Sequence, residues 1–170
     1  MIFITKADIS DAAAIASLGK ITFTETFGDL FTKQELEDYL VKTFNFEKIL
    51  NSLKKQNNKY WIAFNDDNPV GYAKIKLYSN IVGMGNIEQI QLQKIYILKA
   101  YLNIKIGSAL LKEIMASKEL KTGSLVWLVV LSTNERAIRF YEKSGFTKFK
   151  KHYHQIGKTN FEYELMIREI

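Results

Sequence analysis

Apolar residues recur along this chain with two different periods. Residues 1–6 read as a first strand. Asp8 then caps a predicted helix over 9–26 with Ile15, Leu18 and Phe23 on its apolar positions, and Gly28 ends it. Thr32 and Glu35 form a capping-box pattern for a second helix reaching Phe44. A third, near 46–56, carries Phe46, Ile49, Leu50 and Leu53 at helical spacing. The period then shortens. Residues 60–64 predict a strand, 65–69 a turn and 70–77 the returning strand of a hairpin. A loop with Gly83 and Gly85 leads to a long strand at 87–97, with Ile90, Leu92, Ile95 and Ile97 as its apolar residues. A helix at 106–117 turns Leu110, Leu111 and Ile114 to a core. A strand at 125–131, a helix at 134–144 and two strands at 147–156 and 160–168, joined at Gly157, complete the order. No repeat, low-complexity tract or linker interrupts it. The pattern predicts one domain over 1–170, a mixed α/β sheet with helices on both faces.

Composition narrows the chemistry. At 170 residues the chain is long enough for a sizeable core, and 47% apolar with 25% charged residues is ordinary for a soluble globular protein. There is no cysteine, and the imidazoles are His152 and His154 alone, so the expectation is no disulfide, no thiolate nucleophile and no metal site. The N-terminus lacks the features of a signal peptide, and no apolar run has membrane-spanning length, so a cytoplasmic protein without a membrane partner is expected. The net charge of +6 is uneven. Residues 1–93 carry ten Lys/Arg and eleven Asp/Glu, and residues 94–170 carry fourteen Lys/Arg and seven Glu. An anionic ligand is therefore expected in the second half, although most single lysines there read as solvated surface. No zinc finger, RNP-like run or arginine-rich arm points to nucleic acid.

Two segments carry candidate chemistry. The loop at 100–108 opens a helix, whose free N–H groups and dipole can bind phosphate; Gly107 permits close approach and Lys105 adds charge. An ordinary strand–helix connection explains the same residues. The second segment is Asn134-x-x-Ala137-Ile138-x-Phe140-Tyr141-x-x-x-Gly145-Phe146, a capped helix that presents a phenol and stops at a glycine. A phenol with pKa of roughly 10 stays protonated near neutrality until a leaving group develops charge beside it. Periodicity alone makes Tyr141 a core aromatic on the Ile138 face.

This second segment closely resembles the second signature of the GCN5-related N-acetyltransferase (GNAT) superfamily. The order of the long strand, loop, helix, strand and this run resembles that family too, over nearly the whole chain. Thr22-Phe23-x-Glu25-Thr26-Phe27 and Gln91-Leu92-Gln93-Lys94-Ile95-Tyr96 look most like the PaiA-type spermidine/spermine acetyltransferases. The resemblance implies a mostly antiparallel twisted sheet, helices on both faces and a V-shaped splay between two parallel central strands that holds acetyl-CoA. It implies that the backbone of Ile95, Tyr96 and Ile97 pairs with the acetyl and pantetheine groups. The main-chain N–H groups of Asn103, Ile104, Lys105, Ile106, Gly107 and Ser108 would cradle the pyrophosphate. Asn134 would cap its helix or bond the pantetheine arm. Tyr141 would protonate the CoA thiolate, and Lys143 would approach the 3′-phosphate.

The departures from the family pattern are specific. The pyrophosphate loop there reads Gln or Arg, two residues, Gly, one residue, Gly or Ala; here those positions are Leu102, Lys105 and Gly107. Where PaiA-type chains tend to carry a glutamate as base, this one has Gln91. Glu88 is the nearest acid on that strand, at an odd spacing that sends it to the other face. A water relay or deprotonation in bulk solvent is the alternative. On the acceptor side, the acidic stretch 24–38 suits a cationic amine, with Glu25, Phe27 and Tyr39 as binding candidates beside Phe23 and Tyr78; an acidic helix surface and core aromatics explain them equally. The implied activity is acetyl-CoA-dependent acetylation of a small primary amine such as spermidine or spermine. The alternative is a catalytically weak or inactive CoA-binding regulatory module. Family habit makes a homodimer the expected assembly.

Overall fold

The computed structural model describes residues 1–85, 87–156 and 159–170. Seven strands form a sheet: β1 (Ile2–Lys6), β2 (Asn58–Asn65), β3 (Asn68–Leu77), β4 (Gln89–Ile97), β5 (Leu125–Leu131), β6 (Thr147–Ile156) and β7 (Thr159–Glu169). Their order is β1-β2-β3-β4-β5-β7-β6. The pairs β1–β2, β5–β7 and β6–β7 are antiparallel, whereas β4–β5 is parallel. Five helices join them: α1 (Ala12–Phe27), α2 (Lys33–Thr43), α3 (Phe46–Leu53), α4 (Ile106–Met115) and α5 (Glu135–Lys143). The mixed α/β class expected from the pattern and the mostly antiparallel sheet implied by the resemblance are both observed.

By contacts the chain forms two compact units, Met1–Ile75 with Lys94–Ser117, and Lys76–Gln93 with Lys118–Ile170. In the first, α1 and α3 lay Ile15, Leu18 and Ile49 against Tyr60, Ile62 and Tyr72 of the sheet. Helix α4 packs on β1 and β2. Four consecutive residues of β2, Tyr60 to Ala63, are therefore buried. That explains why β2 reads as a continuous apolar run rather than an alternation. In the second unit, Ile81, Leu125 and Leu165 form a core with Trp127, Val129 and Ile167 around it. The Trp127 indole donates to the Ser79 carbonyl at 2.6 Å, which ties the loop after β3 to β5. Strand β6 is exposed for nearly its whole length. It carries Lys148, Lys150 and Lys151, and a bulge places Phe149 as the extra residue. Charge and a bulge on an open edge discourage pairing with another chain.

Several boundaries differ from the expected ones. Asp8 caps a 3₁₀ turn, Ile9–Asp11, in a full capping box with Asp11, and the α-helix follows from Ala12. The capping box of Thr32 and Glu35 forms as expected. The third helix stops at Leu53, three residues early, and Phe46 on its first turn faces solvent. Strand β4 begins at Gln89, leaving Ile87 exposed. The expected junction at Gly157 lies outside the described residues. Among those described, no helix is long and apolar enough to cross a membrane, and no group of three His, Cys, Asp or Glu is placed to hold a metal ion.

Candidate active site

The run at 134–146 folds as a helix held at both ends. The Asn134 side chain accepts from the Ala137 N–H at 3.2 Å and so serves as the N-cap. At the other end Gly145 takes φ +85°, its N–H donates to the Glu142 carbonyl, and the Phe146 N–H donates to the Tyr141 carbonyl, each at 3.0 Å. This is the Schellman arrangement, and its usual hydrophobic contact is present: the Tyr141 and Phe146 rings meet edge-on with centroids 5.7 Å apart. Phe146 is buried, and Tyr141 is half-buried. Arg168 of β7 donates to the last-turn carbonyl of Ser144 at 2.7 Å. Tyr141 is thus fixed by its backbone and by a ring neighbour while its side chain remains partly open. Lys143 is exposed.

The loop before α4 is also built for an anion. A 3₁₀ turn, Lys99–Tyr101, follows β4, and the chain then passes through left-handed backbone at Asn103 (φ +72°) and Lys105 (φ +65°). Lys105 is the N-cap residue of α4, and its own side chain makes no capping hydrogen bond. The first helical hydrogen bond runs from the Ala109 N–H to the Lys105 carbonyl at 3.0 Å. Ile106, Gly107 and Ser108 therefore form an N-terminal turn of the kind that presents N–H groups to an anion. The Ile106 side chain is buried and anchors the turn, whereas Asn103, Ile104, Lys105 and Ser108 are exposed.

Strand β4 carries the remaining cosubstrate candidates. Ile95, Tyr96 and Ile97 close the strand, where β3 approaches so tightly that a Cβ on Gly71 would meet the Tyr96 carbonyl oxygen at 2.8 Å. Only glycine fits there. The parallel register with β5 is Gln89↔Leu125, Ile90↔Val126 and Gln91↔Trp127. Beyond it β4 runs on to Ile97 and β5 to Leu131. The Gln91 amide oxygen accepts from Ser79 Oγ at 3.2 Å and from Gln93 Nε2 at 2.9 Å. Glu88 precedes the strand, and its carboxylate pairs with Lys121 at 3.4 Å.

The acceptor-side candidates have structural employment. The Glu25 carboxylate accepts from the Lys99 N–H at 2.8 Å and so caps the turn leading to α4. Glu35 closes the capping box, and Asp38 accepts from Gln34. Phe27 packs against Phe23 with centroids 5.0 Å apart. Tyr39 stacks on Phe23 at 4.5 Å, and burial raises its phenol pKa. Phe23 is core, and Tyr78 is exposed with φ +55°. A residue that sequence reasoning passed over lies beside Tyr39. Lys94 Nζ sits 5.0 Å from the Phe44 ring centroid and 4.8 Å from that of Tyr96, and desolvation lowers its pKa. The available signal was the alternation Ile90, Leu92, Lys94, Tyr96, which puts one lysine on an otherwise apolar face.

The sequence from residue 21 to 146 matches the model of the acetyltransferase (GNAT) family, and the chain belongs to that family. It is an N-acetyltransferase, and acetyl-CoA is the cosubstrate of the family. The chain is similar to an N-acetyltransferase of Lactobacillus delbrueckii subsp. lactis, 23% identical over 91% of this chain and 89% of that one. It is also similar to a spermidine N(1)-acetyltransferase of Thermoplasma acidophilum, 25% identical over 84% and 86% of the two chains. Its fold is similar to the crystal structure of the PaiA N-acetyltransferase from Thermoplasma acidophilum in complex with coenzyme A. That likeness has a TM-score of 0.77 and 21% identity and covers 100% of this chain and 99% of that one.

Proposed function

We propose that the chain works as one acetyltransferase domain over 1–170, in the cytoplasm, moving the acetyl group of acetyl-CoA to a small primary amine, with spermidine or spermine as the first candidates. The family match at 21–146 enters both compact units, which supports a single working domain. The spermidine acetyltransferase among its relatives supports the choice of amine. The acidic stretch at 24–38 adds less, because Glu25, Glu35 and Asp38 already serve local hydrogen bonds. The observation that carries the reading is the Schellman-held Tyr141, a phenol fixed at the end of a capped helix.

In this reading the pyrophosphate rests on the N–H groups of residues 103–108, with Lys105 supplying charge. The start of α4, which the Lys105 side chain leaves uncapped, fits such a dianion. The strand edge at Ile95–Ile97 pairs with the pantetheine amides, and an N–H there stabilises the oxyanion formed when the amine attacks the thioester. Asn134 holds the helix that carries the acid. Tyr141 gives its proton to the departing thiolate. Lys143 faces the 3′-phosphate, and Tyr39 and Phe27 face the acceptor. One observation favours a second reading, a CoA-binding module without turnover: the carboxylate of Glu88 is engaged by Lys121.

Calorimetry with acetyl-CoA followed by a thiol-release assay on a panel of amines separates the two. Binding with amine-dependent thiol release is expected, and Tyr141→Phe lowers turnover roughly 10²–10⁴-fold while CoA still binds. Undiminished turnover in that variant sinks the role of Tyr141. Binding without turnover on any amine supports the module.

A further inference from the structure

Acetyl transfer to an amine needs the neutral amine, and at neutral pH a primary amine arrives as an ammonium. Something must take the proton. Gln91 has no basic atom to do so, and Glu88 is paired with Lys121. Strand β4 carries one amine side chain, Lys94. It projects from β4 one residue before the Ile95–Ile97 edge, on the face where Tyr39 of α2 and Phe44 at the end of α2 pack. Its Nζ lies over the Phe44 and Tyr96 rings. Phe44 is itself held against α1, where a Cβ on Gly19 would collide with its ring at 2.3 Å.

We propose that Lys94, seated among Tyr39, Phe44 and Tyr96, is the general base that deprotonates the acceptor ammonium. The proposal rests on the acetyl-transfer reading above. The groups that face Lys94 are the phenols of Tyr39 from α2 and Tyr96 from its own strand, with Tyr72 of β3 one ring further on. Among the described residues no carboxylate pairs with it. Burial lowers its pKa, and the Tyr39 phenol opposes that shift only in part. A lysine desolvated without a counter-ion is the setting in which an ε-amine becomes a base near neutrality. Lys94 as a whole is half-buried, while its amine is desolvated among the rings.

The step balances. The Lys94 nitrogen lone pair takes one proton from the acceptor ammonium, and the freed amine attacks the thioester carbonyl. The new C–N bond forms as the C–S bond breaks, and the Tyr141 proton goes to the thiolate. The second proton of the attacking nitrogen leaves as the amide forms and restores Tyr141 through solvent, while Lys94 loses its proton to water, so the net release is one proton per acetyl transferred.

The test replaces Lys94 with arginine, which is of similar length but stays charged and so cannot serve as a base. The expected result is a fall in kcat/KM for the amine of roughly 10²–10⁴-fold near neutral pH, with acetyl-CoA affinity retained. The rate recovers as pH rises toward the acceptor's own pKa. Lys94→Gln gives the same loss if arginine does not fit. A readout independent of activity is the NMR titration of the labelled Lys94 side chain in the wild-type protein, with a midpoint expected below the ordinary lysine value of about 10.4. A midpoint at or above that value overturns the proposal. So does a Lys94→Arg enzyme with unchanged kcat/KM and pH profile, or the same loss of the pH limb in Glu88→Gln alone. Wild-type turnover with an unaffected Lys94→Arg variant defeats the base while leaving the acetyl-transfer reading standing. Absence of wild-type turnover on every amine defeats that reading first and the base with it.

Discussion

Lys105 holds a left-handed backbone, φ +65° and ψ 15°, at a place where glycine would sit without strain. That conformation costs a residue with a Cβ about 1–2 kcal/mol. Glycine would avoid the strain but lose about 0.5–1 kcal/mol in chain entropy. Lys105→Gly is therefore expected to raise stability by about 0.5–1 kcal/mol in thermal melts. It should also weaken acetyl-CoA binding and flatten its salt dependence, because the ammonium is gone. A variant that binds more tightly at every ionic strength would show that the lysine contributes strain alone. Tyr72 offers the opposite trade. Its hydroxyl is buried with no hydrogen-bond partner among the described residues, and its pKa is raised well above the usual phenol value by burial. An unmet buried hydroxyl costs about 1–3 kcal/mol. Tyr72→Phe should stabilise the protein by about 1–2 kcal/mol, and a lower melting temperature would contradict that.

At the scale of elements, α5 shows how local rules place a functional group. Its N-cap, its i,i+4 pair of Glu135 with Arg139 at 2.9 Å and its Schellman stop are all set by residues within the helix or next to it. Asn134→Ala should cost about 1 kcal/mol, seen as a lower melting temperature. Gly145→Ala forces a Cβ onto φ +85° and should cost about 1–2 kcal/mol. The two variants differ in a second readout. Losing the stop disturbs the hydrogen bond from Phe146 to the Tyr141 carbonyl, so Gly145→Ala should lower kcat beyond what its stability loss explains. Equal kcat in Gly145→Ala and wild type at a temperature where both are folded would separate Tyr141 from the stop.

Across the whole molecule, stability should respond to alkaline pH in two opposed ways. Tyr39, Tyr60, Tyr72 and Tyr96 have their pKa values raised, in each case chiefly by burial. Above about pH 10 the unfolded chain sheds phenolic protons that the folded chain keeps, so stability falls as pH rises. Lys94 acts with the other sign. Its folded pKa is lowered, so between that value and the unfolded one the unfolded chain holds the extra proton and stability rises with pH. Urea unfolding from neutral to alkaline pH should show a gain followed by a loss above about pH 10. Lys94→Met should remove the gain, and Tyr72→Phe should soften the loss. Identical pH curves for wild type and Lys94→Met would mean that Lys94 titrates alike in both states.

The sequence by itself determined what is local. Strand β5 begins and ends where its aliphatic run does, the capping box of Thr32 and Glu35 forms as read, and Tyr141 sits on a helix bounded by Asn134 and Gly145. Those features depend on neighbours within a few residues, which is the range that propensity and capping express. The pattern also gave the mixed α/β class, because strand and helix periods differ. Tertiary structure alone decided the rest. Glu25 reads along the chain as an acceptor-side acid, and the fold alone shows that its carboxylate also accepts from the Lys99 N–H, 74 residues away. Gly71 is required by a carbonyl on another strand, and Gly19 by the ring of Phe44. Lys94 was one lysine among many until α2 set Tyr39 and Phe44 beside it and removed its water. Desolvation and close approach are properties of packed neighbours: the alternation at 90–96 puts Lys94 on an apolar face, and only the fold decides which rings close around it.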